Sequence, residues 1–388
     1  MKRSLLAACV AVAATTASAA EPRARDLGIP FAFGTPGKWN AITDVPGVAV
    51  GQTTLIEGQD VRTGVTAILP RGKGEAATKP CLGGYFSLNG NGEMTGIHWV
   101  EESGFVEGPV VITNTNSVGL VRDAVISYAA KRWPPKNNGW EWTVWSLPIV
   151  AETWDGDLND IYGMHVKPEH LDSALDGATT GAVAEGGVGG GTGMICYEFK
   201  GGIGTSSRLL DAKAGGYTVG VLVQANHGLR HQLRIAGIPV GEEIKEGLVR
   251  SSAIGPAAPD AEAGSIIIAV ATDAPLLPTQ LKRLARRASL GLARTGSVSG
   301  NGSGDIFIAF STANPDASDV AKVVDVKMLP NERMGALFEA TVGATEEAIV
   351  NALVAGRTLT GRGGKTVIGL PHERVREILK RHGMLVER

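Results

Sequence analysis

Ser265 has the most direct route to covalent chemistry in this sequence. It opens the apolar run Ser265-Ile266-Ile267-Ile268-Ala269-Val270-Ala271 and follows residues 251–264, SSAIGPAAPDAEAG, a small, polar, proline-containing stretch. Exposed linkers of this composition are where chains are cut. A cut between Gly264 and Ser265 would give Ser265 a free α-amine of pKa about 7.7–8.0 beside its own hydroxyl, a nucleophile and a base in one residue. No histidine would be required. Gly264 suits such a cut because the absent Cβ leaves the scissile carbonyl open and tolerates strained backbone. The same residues also read as an ordinary turn leading into a strand.

Other polar groupings point to less. Gly189-Gly190-Gly191-Thr192-Gly193 lacks the Lys-Ser/Thr ending of a phosphate-binding loop and follows no strand-to-helix fingerprint. It reads instead as bare backbone packed near the active site or a subunit junction. His227 and His231 are four apart, but no H-E-x-x-H pattern surrounds them and Gly228 weakens a helix there. Cys81 and Cys196 are too isolated for a C-x-x-C motif and are read as separate buried thiols, with one disulfide as the alternative.

These groups need a scaffold. The 388 residues carry 37 Lys+Arg against 39 Asp+Glu and are 43% apolar, which is globular and argues against a general polyanion binder. The length allows two domains or one large α/β domain. With Gly 53 and Pro 19, many tight turns are expected between packed elements. Strands are predicted over Val61–Leu69, 109–113, 143–151, 217–224, 265–271 and 305–310, most of them rich in Val, Ile and Thr. Several are almost continuously apolar, as in sheets covered on both faces. Helices are predicted over 119–132, 278–293, 344–354 and 371–382, the second and last opening with proline. Helices outside and sheet inside make a layered α/β protein. Trp133, Trp140, Trp142 and Trp145 form an exposed rim, an oligomer contact or ordinary packing.

Residues 1–19 read as an export signal: Lys2 and Arg3, a short apolar run, then Ala17-Ser18-Ala19, with cleavage before Ala20. A lipoprotein box ending at Cys9 is the alternative, with few apolar residues ahead of it. The mature chain is expected in the periplasm of a Gram-negative source, with no membrane span.

The run from Gly264 through Thr272-Asp273-Ala274-Pro275-Leu276 resembles the start of the small subunit in the self-processing serine aminopeptidase family. That family contains β-peptidyl aminopeptidases and the L-aminopeptidase/D-esterase. Further matching stretches follow in the same order: Arg62-Thr63-Gly64-Val65-Thr66, Thr113-Asn114-Thr115-Asn116-Ser117-Val118-Gly119, Glu152-Thr153 with Asp155-Gly156 and Leu158-Asn159-Asp160, Val188 to Gly193, and Val221-Leu222-Val223-Gln224-Ala225-Asn226. The resemblance implies a four-layer αββα sandwich, self-cleaved into a large subunit, 20–264, and a small one, 265–388, that together form one domain. It implies that Ser265 is the nucleophile, with Asn226 as the oxyanion donor. Ser303 and Asp305 resemble the pair that surrounds the nucleophile and its amine. Glu152 resembles the carboxylate that holds the substrate's free amino terminus. Trp154 departs from the pattern: the D-esterase branch has a tyrosine there, and an indole has no acidic hydroxyl, so that role is not transferred. The departure leans toward the β-aminopeptidase branch.

The expected function is removal of an N-terminal residue, preferentially a β-amino acid, from short peptides, amides or esters, without metal or other cofactor. Processed pairs are expected to form homo-oligomers, and nucleic acid is not an expected partner. Two enzyme alternatives are α-amino acid amide hydrolysis and acyl transfer resembling ornithine acetyltransferase, which uses threonine where Ser265 stands. A periplasmic binding protein on the same scaffold is the non-enzyme alternative.

Overall fold

The computed structural model describes residues 22–75, 79–132, 147–252 and 262–387. The expected export signal, the four tryptophans from Trp133 to Trp145, the start of the strand expected over 143–151 and most of 251–264 lie outside them. In chain order the strands are β1 (Ala49–Glu57), β2 (Val61–Leu69), β3 (Cys81–Gly90), β4 (Phe105–Val106), β5 (Val110–Asn114), β6 (Ile149–Thr153), β7 (Ile195–Cys196) and β8 (Phe199–Lys200). They continue with β9 (Gly202–Leu209), β10 (Thr218–Asn226), β11 (Ala263–Thr272), β12 (Gly302–Ser311), β13 (Leu359–Thr360) and β14 (Thr366–Val367). The helices are α1 (Gly72–Glu75), α2 (Ile97–Ser103), α3 (Val118–Arg132), α4 (Pro168–Asp176), α5 (Val240–Glu243), α6 (Pro278–Arg294), α7 (Gly335–Val354) and α8 (His372–Arg381).

The chain is mixed α/β. The four-stranded sheet runs β1-β2-β5-β6 and the six-stranded sheet β4-β3-β12-β11-β10-β9, with β13-β14 and β7-β8 as separate two-stranded pairs. The pairs β5/β6 and β11/β12 are parallel. Period-2 alternation sends successive side chains of β11 to opposite faces. Ile267, Ala269 and Ala271 meet Ile68, Ile112 and Ala151 of the four-stranded sheet, whereas Ile266, Ile268 and Val270 meet Leu281 and Leu284 of α6 and Leu353 of α7. On its other face the four-stranded sheet packs Val65, Val111 and Val150 against Val121 of α3 and Leu171 of α4. Fully burying one Val or Ile stabilises by about 1.5–3 kcal/mol. Two covered faces thus explain why these strands read as unbroken apolar runs.

Besides the twenty described glycines at positive φ, as the expected turns require, others serve packing. A Cβ on Gly51 would lie 1.8 Å from the Ala174 carbonyl of α4, and one on Gly204 would lie 1.9 Å from the Ala348 carbonyl of α7. On Gly84 it would lie 2.6 Å from Lys282 N of α6. Helices therefore rest directly on bare strand backbone. Of the two expected proline starts, Pro278 opens α6, but Pro371 stands just before α8 as its cap. Cys81 and Cys196 are free and buried in different clusters.

Candidate active site

Strand register gathers the chemistry at one end of the six-stranded sheet. In the β12-β11-β10 order, Ser265 lies opposite Asn226 on one side and Gly304 on the other, with Gly264 beside Ser303 and Ile266 beside Asp305. Ser265 Oγ donates to the Gly264 carbonyl at 2.6 Å and accepts from Gly304 N at 3.2 Å. The hydroxyl therefore sits against the bond that would be cut. Ser265, Ser303 and Asp305 are all buried.

The backbone strain expected at Gly264 is absent. Its φ lies outside the left-handed region, and β11 passes through it as regular strand. A Cβ there would lie 2.3 Å from the Asn226 carbonyl. Close approach to β10, rather than strain, selects glycine.

Asn226 is oriented by its neighbours. Its Oδ1 accepts from Ile195 N at 2.8 Å, which fixes the amide and leaves Nδ2 without a hydrogen bond among the described residues. Ile195 sits in the β7/β8 hairpin, whose approach to the 189–194 turn is set by Lys200. The buried Lys200 Nζ donates to the Gly191, Met194 and Gly201 carbonyls at 3.2, 3.0 and 2.8 Å. Burial pushes the Lys200 ammonium down to about 7, while the three carbonyls favour the charged form. The glycine turn is filled by protein: a Cβ on Gly190 would lie 2.2 Å from Gln224 Oε1 and one on Gly191 2.5 Å from Ile203 N. No phosphate fits there.

On β12, Ser303 Oγ donates to Asp305 Oδ1 at 2.7 Å. Burial raises the Asp305 carboxyl above its ordinary value, opposed by the Ser303 hydroxyl. Glu152, at the end of β6, approaches from the other sheet. It accepts from Glu93 N at 2.9 Å and from the Thr115 hydroxyl, and burial raises its carboxyl despite both bonds. A Cβ on Gly92 would lie 3.2 Å from both Glu152 Oε1 and Gly304 Cα. Only bare backbone thus separates this carboxylate from the strand that touches Ser265 Oγ.

Trp154, Ile195 and Asn226 line a cavity of about 470 Å³ together with residues of 228–251. The Trp154 indole Nε1 has no hydrogen-bond partner among the described residues. Ser265, Ser303, Asp305 and Glu152 do not line this cavity; Asn226 is the residue shared between it and the buried cluster. The His227 and His231 positions do not form a pair. His227 is fully buried, with burial pushing it down to about 3, and lies 3.8 Å from Cys196 Sγ, whereas His231 is exposed. Sequence reasoning missed Glu93, Thr115, Ile195 and Lys200. Thr115 lies inside a quoted stretch and Asn89-Gly90-Asn91-Gly92 is a recognisable turn signal, but neither reveals its contact with Glu152.

Comparison with known proteins adds an independent observation. Residues 40–367 match the model of peptidase family S58. The chain is 53% identical over 389 residues to the β-peptidyl aminopeptidase BapA of Sphingosinicella microcystinivorans, covering 96% of this chain and 95% of that protein. Among solved structures, a Burkholderia sp. β-aminopeptidase is 51% identical with a TM-score of 0.83, covering 93% of this chain and 99% of the other. The L-aminopeptidase D-Ala-esterase/amidase of Ochrobactrum anthropi, described as a variant of the Ntn hydrolase fold, is 46% identical with a TM-score of 0.86, covering 94% and 100%.

Proposed function

The chain belongs to peptidase family S58 and is a serine aminopeptidase, and from that premise we propose an exported β-peptidyl aminopeptidase that cuts its own chain between Gly264 and Ser265. The observation that carries this reading is the convergence of Ser265, Asn226 and the Ser303–Asp305 pair on three adjacent strands, with Glu152 facing them across Gly92.

In maturation, Ser265 Oγ attacks the Gly264 carbonyl carbon and the C–N bond breaks. The nitrogen takes up a proton and becomes the α-amine of Ser265, and water then hydrolyses the ester to free the Gly264 carboxylate. The products are the large subunit, 20–264, and the small subunit, 265–388, in one four-layer αββα domain. The three apolar clusters, helix against sheet, sheet against sheet and sheet against helix, support that layering.

In turnover, the free α-amine accepts the Ser265 hydroxyl proton as Oγ attacks the substrate carbonyl, and the leaving amine receives that proton. Asn226 Nδ2 donates to the developing oxyanion, its amide held in place by Ile195. Ser303 and Asp305 hold the amine. Glu152 binds the substrate ammonium, which an internal peptide unit lacks, so only chain ends are taken. Water finally releases the acid from Ser265. Preference for β-amino acids rests on the similarity to BapA and the β-aminopeptidase and on Trp154 in the cavity wall. Export rests on residues 1–19, and association of processed pairs into homo-oligomers is part of the same reading.

Denaturing mass measurement tests the first step: two polypeptides joining at Gly264/Ser265 are expected, and one unbroken chain refutes it. Initial rates on β-alanyl and L-alanyl p-nitroanilide test the second. A higher kcat/KM for the L-alanyl compound would favour the L-aminopeptidase alternative.

A further inference from the structure

Upstream of Ser265, strand β11 loses a partner. Its antiparallel register with β10 ends at the Asn226–Ser265 pair, while the parallel register with β12 continues through Gly264 and Ala263. The acyl half of the bond to be cut is therefore held by backbone pairing on one side only. The side chain of Glu262 bridges this opening. Its Oε1 accepts from Gly228 N at 3.0 Å, two residues beyond the end of β10, and its Oε2 accepts from Gly300 N at 3.1 Å, just before β12 begins. The carboxylate is buried. A Cβ on Gly300 would lie 2.7 Å from Glu262 Cβ, so this seat has no space for a side chain on the loop that receives it.

Resting on the self-cleavage reading above, we propose that Glu262 is a positioning residue for maturation: it holds the Gly264 carbonyl against Ser265 Oγ by tying the extensions of β10 and β12 together. It acts on one reaction in the life of the chain. Once the Gly264–Ser265 bond is broken, Glu262 belongs to the product end of the large subunit and is no longer joined to the reacting serine. Turnover of external substrates does not use it. Misplacement of reacting atoms by about 1 Å can cost on the order of 10²-fold in rate. Loss of a clip two residues from the reacting carbonyl is expected to slow self-cleavage by about 10- to 100-fold.

The full chain is synthesised in a cell-free pulse, and conversion to two polypeptides is followed by mass for the parent, Glu262→Ala and Glu262→Gln. The processed forms are then assayed for kcat and KM on β-alanyl p-nitroanilide. Glu262→Ala is expected to process slowly yet give an enzyme within about threefold of the parent in kcat/KM. Glu262→Gln, whose amide oxygen still accepts one glycine N–H, should process at an intermediate rate. Parental processing by Glu262→Ala overturns the proposal and leaves self-cleavage standing. Equal losses in processing and turnover also overturn it, since Glu262 would then serve the mature site. Folding is read from the uncut pair Ser265→Ala and Ser265→Ala/Glu262→Ala: a large drop in thermal midpoint in the double variant would make the clip merely structural and overturn the proposal. A parent chain that never cuts removes both readings together.

Discussion

Asn226 offers the sharpest separation of chemistry from folding. Replacing it with alanine removes the Nδ2 donor, but also the Oδ1 that accepts from Ile195 N. Leaving that backbone N–H unpaired costs about 1–3 kcal/mol of stability. Asn226→Asp keeps the Ile195 bond, because a carboxylate oxygen still accepts from Ile195 N while the other oxygen replaces the donor with negative charge. Losing one oxyanion donor costs about 2.7–4 kcal/mol at the transition state, or about 10²–10³ in kcat. Asn226→Ala should show this loss together with a lowered thermal midpoint. Asn226→Asp should lose at least as much kcat, because like charge now faces the developing oxyanion, with a midpoint lowered by burial of the new carboxylate and not by loss of the Ile195 bond. Asn226 also stands opposite Ser265 in the uncut chain, so the variants could slow the proposed self-cleavage too, and kcat is referred to the processed fraction, counted by mass. Steady-state rates on β-alanyl p-nitroanilide supply kcat and KM. An unchanged kcat in Asn226→Asp, or a change confined to KM, would refute the oxyanion assignment.

Ser265→Ala should remain one polypeptide without hydrolytic activity, checked by mass and p-nitroanilide release; full activity would remove the nucleophile. Glu152→Gln should lower kcat/KM for free-amine substrates by about 30-fold or more, from loss of about 2 kcal/mol in a desolvated charge pair, and leave amine-blocked ester substrates little changed. The Glu152 carboxylate must be ionised to hold an ammonium, and burial raises its pKa above the ordinary 4.5, so parental kcat/KM should fall as pH drops through that raised value. Glu152→Gln should lack that acid limb. Glu347 tests stability instead. Burial alone would push its carboxyl up, but Arg25 at 2.7 Å and Arg208 at 2.8 Å, with Asn40, hold it below 4.5. Its folded pKa lies below the unfolded one, so its contribution is present above about pH 4.5 and lost as pH falls further. Glu347→Gln should therefore lower the thermal midpoint near pH 7, with the gap to the parent closing below pH 4.5. A gap constant with pH would contradict the linkage.

Regular periodicity was legible where both faces of a strand or one face of a helix are buried. Val61–Leu69 has the expected bounds, and α6 and α3 differ from theirs by one residue at one end. The expectation for 344–354 caught only the second half of α7, because Gly335 to Gly343 mixes small and polar residues over a surface that still packs. Strands β3 and β9 went unread. Their glycines, including Gly84 and Gly204, look like turn punctuation in one dimension and are helix seats in three. Within the candidate site, the side chains proposed to act directly came from the resemblance, since Asn226 and Glu152 alone read as a turn residue and a surface carboxylate. Most of the groups that hold them were not legible, because they are backbone N–H donors: Ile195 for Asn226, Glu93 for Glu152, Gly304 for Ser265; the side chains of Thr115 and Lys200 carry letters but no local sign of their contacts. A main-chain donor carries no letter of its own.

The cage around Lys200 has a counterpart in ion chemistry. Three carbonyl oxygens converging at 2.8–3.2 Å on one positive charge form the kind of shell that solvates a monovalent cation such as potassium. Here the cation is covalently part of the chain, so its occupancy is set by folding and not by the salt of the surroundings. A hairpin held by a bound ion would loosen whenever that ion was diluted or exchanged for a smaller one. With a tethered ammonium, the seat beneath the Asn226 amide stays filled in whatever ionic medium the protein meets.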